Sequence, residues 1–304
     1  MLHKIITFLF LLGISLSSCA QKNQKQETGL LWEISGNNLE QPSYLFGTHH
    51  LVPLSFLDSI NGLDKAFMAT EQTIGELDMN NMGEMQMQLM VASLMPEGYS
   101  YNELLNKEER NILDETLKEY VGAGLDQFEQ MKPAMLNTLL TVMMYKKLYP
   151  SNEEAMSMDE HFQKEARDRY RQTMGLESVQ DQIDVLFGSQ SVERQAESLL
   201  CSIKNMDYGK KQMDRLLTAY YAQDLTAMAK LYEEEDPDNP CPSTEEEKDE
   251  LNKKRNEKWM ELLPEMIGKK PSFIAVGCLH LVAEDGLINR LRGEGYTVKS
   301  MVNY

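Results

Sequence analysis

The chain has 304 residues, 42% of them hydrophobic and 26% charged, with 30 Lys and Arg against 48 Asp and Glu, so its formal net charge is −18. That balance excludes nucleic acid and an anionic lipid surface as the main partner, because both are gripped through positive patches. Four cysteines and five histidines are few enough to be weighed one at a time.

The first element in chain order is an export signal. Lys4 gives a positive start, and an apolar run from Ile5 to Ile14 is broken only by Thr7 and Gly13. The run is shorter than the roughly 20 residues that a spanning helix needs. Leu16-Ser17-Ser18-Cys19 follows as a lipobox, which predicts cleavage after residue 18 and lipidation of Cys19. Several acyl chains on one cysteine give a stable membrane anchor. Ala20 rather than Asp after the cysteine directs the expectation to the outer membrane, with the protein facing the periplasm. Residues 1–18 hold one lysine and no acid, so cleavage takes the charge from −18 to −19. Residues 19–28 are polar and without apolar periodicity, which predicts a flexible tether.

Residues 29–304 then read as one domain in three zones. Residues 30–34 and 43–47 are two short strands joined by a turn at Gly36-Asn37-Asn38. Residues 53–67 have Leu54, Leu57, Ile60, Leu63 and Phe67 at helical spacing, and residues 73–77 form another short strand. From about 80 to 270 the pattern is helical, with breaks at Pro96-Glu97-Gly98, Gly122 to Gly124, Pro150 and Gly175, and residues 173–177 could be a strand within it. The acidic stretch from Glu233 to Glu247 reads as a solvated loop. Residues 272–278 are a buried-strand run, 284–291 a helix and 296–301 a closing strand, a βαβ order that implies parallel pairing. The expected fold is α/β: a central mixed sheet built from the N- and C-terminal zones, with a large helical insertion. In an oxidising compartment Cys201 and Cys241 could pair, leaving Cys278 in its apolar strand unpaired.

Two histidines share one local frame, Gly47-Thr48-His49-His50 and Gly277-Cys278-Leu279-His280, each after a short apolar strand. A strand delivers such a residue to the C-terminal edge of a sheet, where open α/β folds place their sites. Imidazole is the commonest metal ligand, so the pair is either a shared metal site or two edge histidines held by hydrogen bonds. Glu76, in Thr73-Ile74-Gly75-Glu76-Leu77-Asp78, is a third candidate as ligand or general base, in competition with Glu71 and Asp78. Met79, Met82, Met85, Met87, Met90 and Met95 suit adaptable packing or an apolar peptide groove better than copper. There is no H-E-x-x-H helix and no G-x-S-x-G elbow.

The Trp32 strand followed by PSYLFGTHHL, the ELDM segment after residue 75, Met158-Asp159-Glu160-His161-Phe162 and FIAVGCLHLVAEDGLINRLRGEGYTV together resemble the TraB/GumN family across residues 29–304. The resemblance implies an EreA/ChaN-like α/β fold with its active site between the two G-x-x-H motifs. It also implies a metal-dependent hydrolase, as in TIKI-like members that act as metalloproteases, with a peptide or protein substrate. Carried onto this sequence, His50, His280 and Glu76 would hold a divalent metal ion (manganese, cobalt or zinc) and form the catalytic set. Arg255 would stabilise developing oxyanion charge, with Gly47, His49, Glu177, Asn256 and Gly277 lining the pocket. His49 stands where the family usually has an apolar residue, and Cys278 where it has a small one. The alternative implied by ChaN-like relatives is a non-catalytic envelope lipoprotein that binds haem, iron or another ligand in the same cleft.

Overall fold

A computed structural model describes residues 28–150, 156–234 and 236–302. The signal peptide, Cys19 and nearly all of the expected tether lie outside these residues. One six-stranded sheet forms the centre, in the order β4-β3-β5-β2-β1-β6. Its strands are β1 (Leu31–Ser35), β2 (Ser43–Thr48), β3 (Gln72–Gly75), β4 (Gln172–Gly175), β5 (Ser272–Gly277) and β6 (Thr297–Ser300). Four neighbours, β4, β3, β5 and β2, run parallel, while β1 is antiparallel to both β2 and β6. The sheet is mixed, and the C-terminal zone supplies the inner strand β5 and the edge strand β6. The βαβ order of that zone holds in direction only, since β2 and β1 lie between β5 and β6.

Strands β2 and β5 are buried on both faces, which is why they read as continuous apolar runs. Leu45, Phe46, Ile74, Phe273, Ile274 and Val276 are inaccessible to solvent. Phe46, Phe67, Phe162 and Phe273 form one aromatic layer, with ring centroids 4.7–6.2 Å apart. The helical region carries a second core between the helices Lys107–Tyr120, Pro133–Leu148 and Val192–Lys204, built on Leu113, Leu117, Leu136, Leu140 and Leu199. The long insertion therefore has its own stabilising burial. It also returns to the sheet to donate β4 as the edge strand beside β3.

Several boundaries differ from the sequence reading. The helix expected over 53–67 is a 3₁₀ turn, Leu54–Ser59, then a separate helix, Leu63–Met68. Asn61-Gly62 breaks it, with Gly62 at φ 76°, a backbone state that only glycine enters cheaply. The helix expected to start at 284 starts at Leu287, because Ala283 is left-handed at φ 70° and Gly286 is extended at ψ 153°, so the chain before Leu287 is not helical. Strand β3 stops at Gly75, one residue before Glu76 turns its side chain across to β5. Cys201 and Cys241 form a disulfide that ties the acidic loop to the Val192–Lys204 helix.

Candidate functional site

Each parallel strand ends at the same edge, and each is followed by a residue able to do chemistry. His49 and His50 follow β2, Glu76 follows β3, Glu177 lies two residues past β4, and His280 lies three past β5. The two G-x-x-H motifs are neighbours because β2 pairs with β5 in parallel register, Thr48 opposite Gly277. Both motif glycines sit at close approaches. A Cβ at 47 would come within 3.1 Å of the Cys278 Cα, and one at 277 within 3.2 Å of Glu76 Oε1.

The Gly277 N–H donates to Glu76 Oε1 at 2.8 Å, so the second motif grips the carboxylate through its backbone. Arg255 supplies the rest of the frame. It stands on the helix Lys254–Lys269, which continues a π-helical turn, Asp249–Lys253. Such a widened turn re-aims the residues that follow it, and Asn252, Asn256 and Trp259 are all buried. Arg255 donates from Nη2 to Glu76 Oε2 and to Glu177 Oε1, both at 2.6 Å, and from Nε to Glu177 Oε2 at 3.0 Å. Its Nη1 donates to the Leu251 carbonyl at 3.2 Å and to His280 Nε2 at 2.9 Å. Trp259 lies under the guanidinium, 4.8 Å from ring centre to Cζ, and donates its own N–H to Glu177.

These partners fix the state of His280. Arginine can only donate, so His280 Nε2 accepts and the proton sits on Nδ1, which donates to Asn256 Oδ1 at 2.8 Å. Asn256 is held in that orientation by its NH₂, which faces Asn252 Oδ1 and the His280 and Asp285 carbonyls. Burial lowers the His280 imidazole to about 4, so it is neutral at pH 7. Burial alone would raise the Glu76 carboxyl, but His280, Arg255, His50 and the Gly277 N–H outweigh it and hold it at about 2. With His280 neutral at pH 7, Arg255 and the His50 imidazolium are the charges that act on Glu76 there.

His50 is built differently. Its Nδ1 meets Asp159 Oδ2 at 2.8 Å, and the Thr48 hydroxyl donates to Asp159 Oδ1 at 2.7 Å, so one motif clamps both oxygens of one buried carboxylate. Asp159 lies in the first turn of the helix Met158–Asp168, capped by Ser157, where the helix dipole favours an anion. The charge of Asp159, then its hydrogen bond and the more distant Glu76, raise the His50 imidazole to about 9. The side chain of His50 is 63% exposed and that of Asp159 only 5%. His50 is thus an imidazolium at neutral pH, with Nε2 free of hydrogen bonds among the described residues.

Other expected residues take quieter places. His49 packs on Tyr220 and Tyr145, and its Nδ1 accepts from the Leu51 N–H. Cys278 is buried in the contact with Gly47, and burial pushes its thiol up to about 12. Sequence reasoning assigned no role to Asp159, Gln163 or Gln182. Gln182 donates to Glu76 Oε2, and Gln163 holds both the Leu77 carbonyl and the Met79 N–H. Asp159 and Gln163 share the apolar stripe of their helix with Met158, Phe162 and Ala166, and a polar residue on such a stripe is the signal that could have found them.

The fit of a metal can be tested on these donors. Both histidines have Nδ1 fixed by an acceptor, an arrangement that suits metal ligation through Nε2. His280 Nε2 and Glu76 Oε1 lie 3.9 Å apart. However, His280 Nε2 and Glu76 Oε2 are already occupied by Arg255, and His50 is drawn toward Asp159. Among the described residues no set of three or more His, Cys, Asp or Glu side chains converges on one point. The donors as arranged do not fit a divalent cation.

A cavity of about 470 Å³ reaches this edge from the side of the helix Met206–Tyr221, with Tyr208, Arg215, Tyr232, Leu279 and His280 in its wall. Among the described residues no helix is long and apolar enough to cross a membrane. The sequence profile of the TraB/PrgY/gumN family matches residues 30–300. Comparisons with curated proteins and with solved structures gave no match.

Proposed function

The chain belongs to the TraB/PrgY/gumN family, and from that premise and the geometry above we propose that it is a hydrolase of peptide bonds, tethered in the cell envelope through Cys19. The observation that carries this reading is the His50–Asp159 pair: an exposed imidazolium oriented by a buried carboxylate, at the edge where the second motif holds Glu76.

His50 is the proton donor. As water adds to the substrate carbonyl, the Nε2 proton passes to the leaving nitrogen and the C–N bond breaks. The proton lost by the added water returns to Nε2 and restores the imidazolium. Asp159 fixes the ring and keeps it charged, and Glu76 adds to that field. Arg255 does not act as an oxyanion donor in this scheme, since its N–H groups are engaged by protein acceptors. It is a positioning residue for Glu76. Manganese, cobalt or zinc, implied by the resemblance, enters no step because the donors do not fit one.

An apolar peptide is the favoured substrate. Met87, Met90, Val91 and Leu94 form an exposed row at spacings of three and four on and beside the helix Met82–Ala92. That helix packs on Val179–Ile183, whose Gln182 touches Glu76. The test is digestion of a mixed peptide library by the mature chain in detergent, read by mass spectrometry in H₂¹⁸O. Cleavage with ¹⁸O in the new carboxylates, lost in His50→Ala with the fold intact, supports the assignment. No cleavage of any peptide, or full activity in His50→Ala, refutes it.

A further inference from the structure

We propose that Arg255 is the resident cation of this site and that Glu76, Glu177 and His280 are arranged around its guanidinium instead of a divalent metal ion. A guanidinium has five N–H donors in a fixed plane. All five are used here, on Glu177 twice, on Glu76, on His280 Nε2 and on the Leu251 carbonyl. Three of these partners are groups that would otherwise be the metal-binding inventory of the pocket. The side chains are nearly enclosed, with Arg255 13%, Glu76 12% and Glu177 5% exposed.

Enclosure gives the arrangement its force. Two carboxylates and one guanidinium leave a single net negative charge, whereas adding a divalent ion beside Arg255 would put two cations on the same acceptors. Displacing Arg255 would instead break a two-pronged pair with Glu177 and the contact with the Trp259 face. The other soft or nitrogen donors cannot make good the loss. His49 faces Tyr220 and Tyr145, Cys278 is packed against Gly47, and His50 belongs to Asp159.

The inference rests on the site assigned above but not on its hydrolytic activity, and its test reads binding alone. The mature chain in detergent is loaded with manganese, cobalt or zinc, desalted and analysed for metal, and its melting temperature is followed with and without each ion. The wild-type chain should retain no stoichiometric metal and show no metal-dependent shift. Arg255→Ala removes the guanidinium and leaves Glu76, Glu177 and His280 open to a small cation, so its lowered melting temperature should recover by several degrees on adding metal. Adding Glu177→Gln to that variant should abolish the recovery. One metal ion per wild-type chain, lost in His280→Ala, overturns the proposal, and so does a folded Arg255→Ala that ignores all three ions. Should Arg255→Ala not fold, the metal content of the wild-type chain decides alone. A failure here leaves peptide hydrolysis untouched, since that reading stands or falls on ¹⁸O incorporation.

Discussion

Arg255 and Glu177 meet along two parallel bonds, Nε to Oε2 at 3.0 Å and Nη2 to Oε1 at 2.6 Å, which joins the helix Lys254–Lys269 to the end of β4. The contact reaches across 78 residues, so it is made only when the helical insertion has closed back on the sheet. Because Arg255 also holds Glu76 and His280, this one pair sets the geometry of the whole edge.

Breaking the pair should therefore be expensive. Removing one partner of a buried ion pair leaves an uncompensated charge and costs about 3–5 kcal/mol. Glu177→Ala is expected to lose that much in urea unfolding, and Arg255→Lys is expected to lose most of it, because an ammonium cannot form the two-pronged contact. A loss below about 1 kcal/mol in Glu177→Ala would place the pair at the surface energetically.

The His50–Asp159 pair predicts a specific titration. The folded value of about 9 lies above the ordinary histidine value, so the pair's contribution to stability is complete below about 6.5 and fades as pH rises through about 9. The exposed ring makes that contribution small. His50 ring protons followed by NMR should titrate near 9, and in Asp159→Asn the midpoint should fall back toward about 6.5. An unshifted midpoint in the variant would remove Asp159 as the cause.

His280 carries the opposite sign. Its folded value of about 4 lies below the unfolded one, so the unfolded chain binds the extra proton first and stability declines as pH drops from about 6.5 toward 4. His280→Gln, which keeps polar partners for Asn256 and Arg255, should flatten that part of the stability curve. An identical acid slope in both proteins would contradict a neutral buried imidazole.

The Cys201–Cys241 disulfide closes a 40-residue separation. Constraining the unfolded chain at that spacing stabilises by about 2–4 kcal/mol. Cys201→Ser and Cys241→Ser, and the wild-type chain under reductant, should all shift the urea midpoint down by the same amount. Unequal shifts would mean that one cysteine contributes by packing and not through the bond.

Much of this was legible in the sequence, for a physical reason. Parallel strands buried on both faces announce themselves as apolar runs, and residues 43–47 and 272–278 did so, each with its glycine and histidine at a fixed distance. The family, the α/β class and the mixed sheet follow from those segments. What the sequence could not supply was who pairs with whom. Arg255 reads as an oxyanion donor in the sequence, and only its five protein partners make it a clamp. Asp159 was quoted within a motif but gained a role only when Thr48 and His50 were seen on its two oxygens. The break at Asn61-Gly62 was signalled locally, but the helical spacing of Leu57, Ile60 and Leu63 hid it.

The central claim is that His50, held charged by Asp159, gives the proton to the leaving group. The most direct measurement is the pH dependence of kcat/KM for a peptide that the mature chain cleaves, in the wild type and in Asp159→Asn. A donor must be protonated to act, so the wild-type rate should hold across neutral pH and fall above about 9, while in Asp159→Asn the fall should move down toward about 6.5. A high-pH limb that stays in place in Asp159→Asn, or a rate that rises through this range, would show that the proton comes from elsewhere.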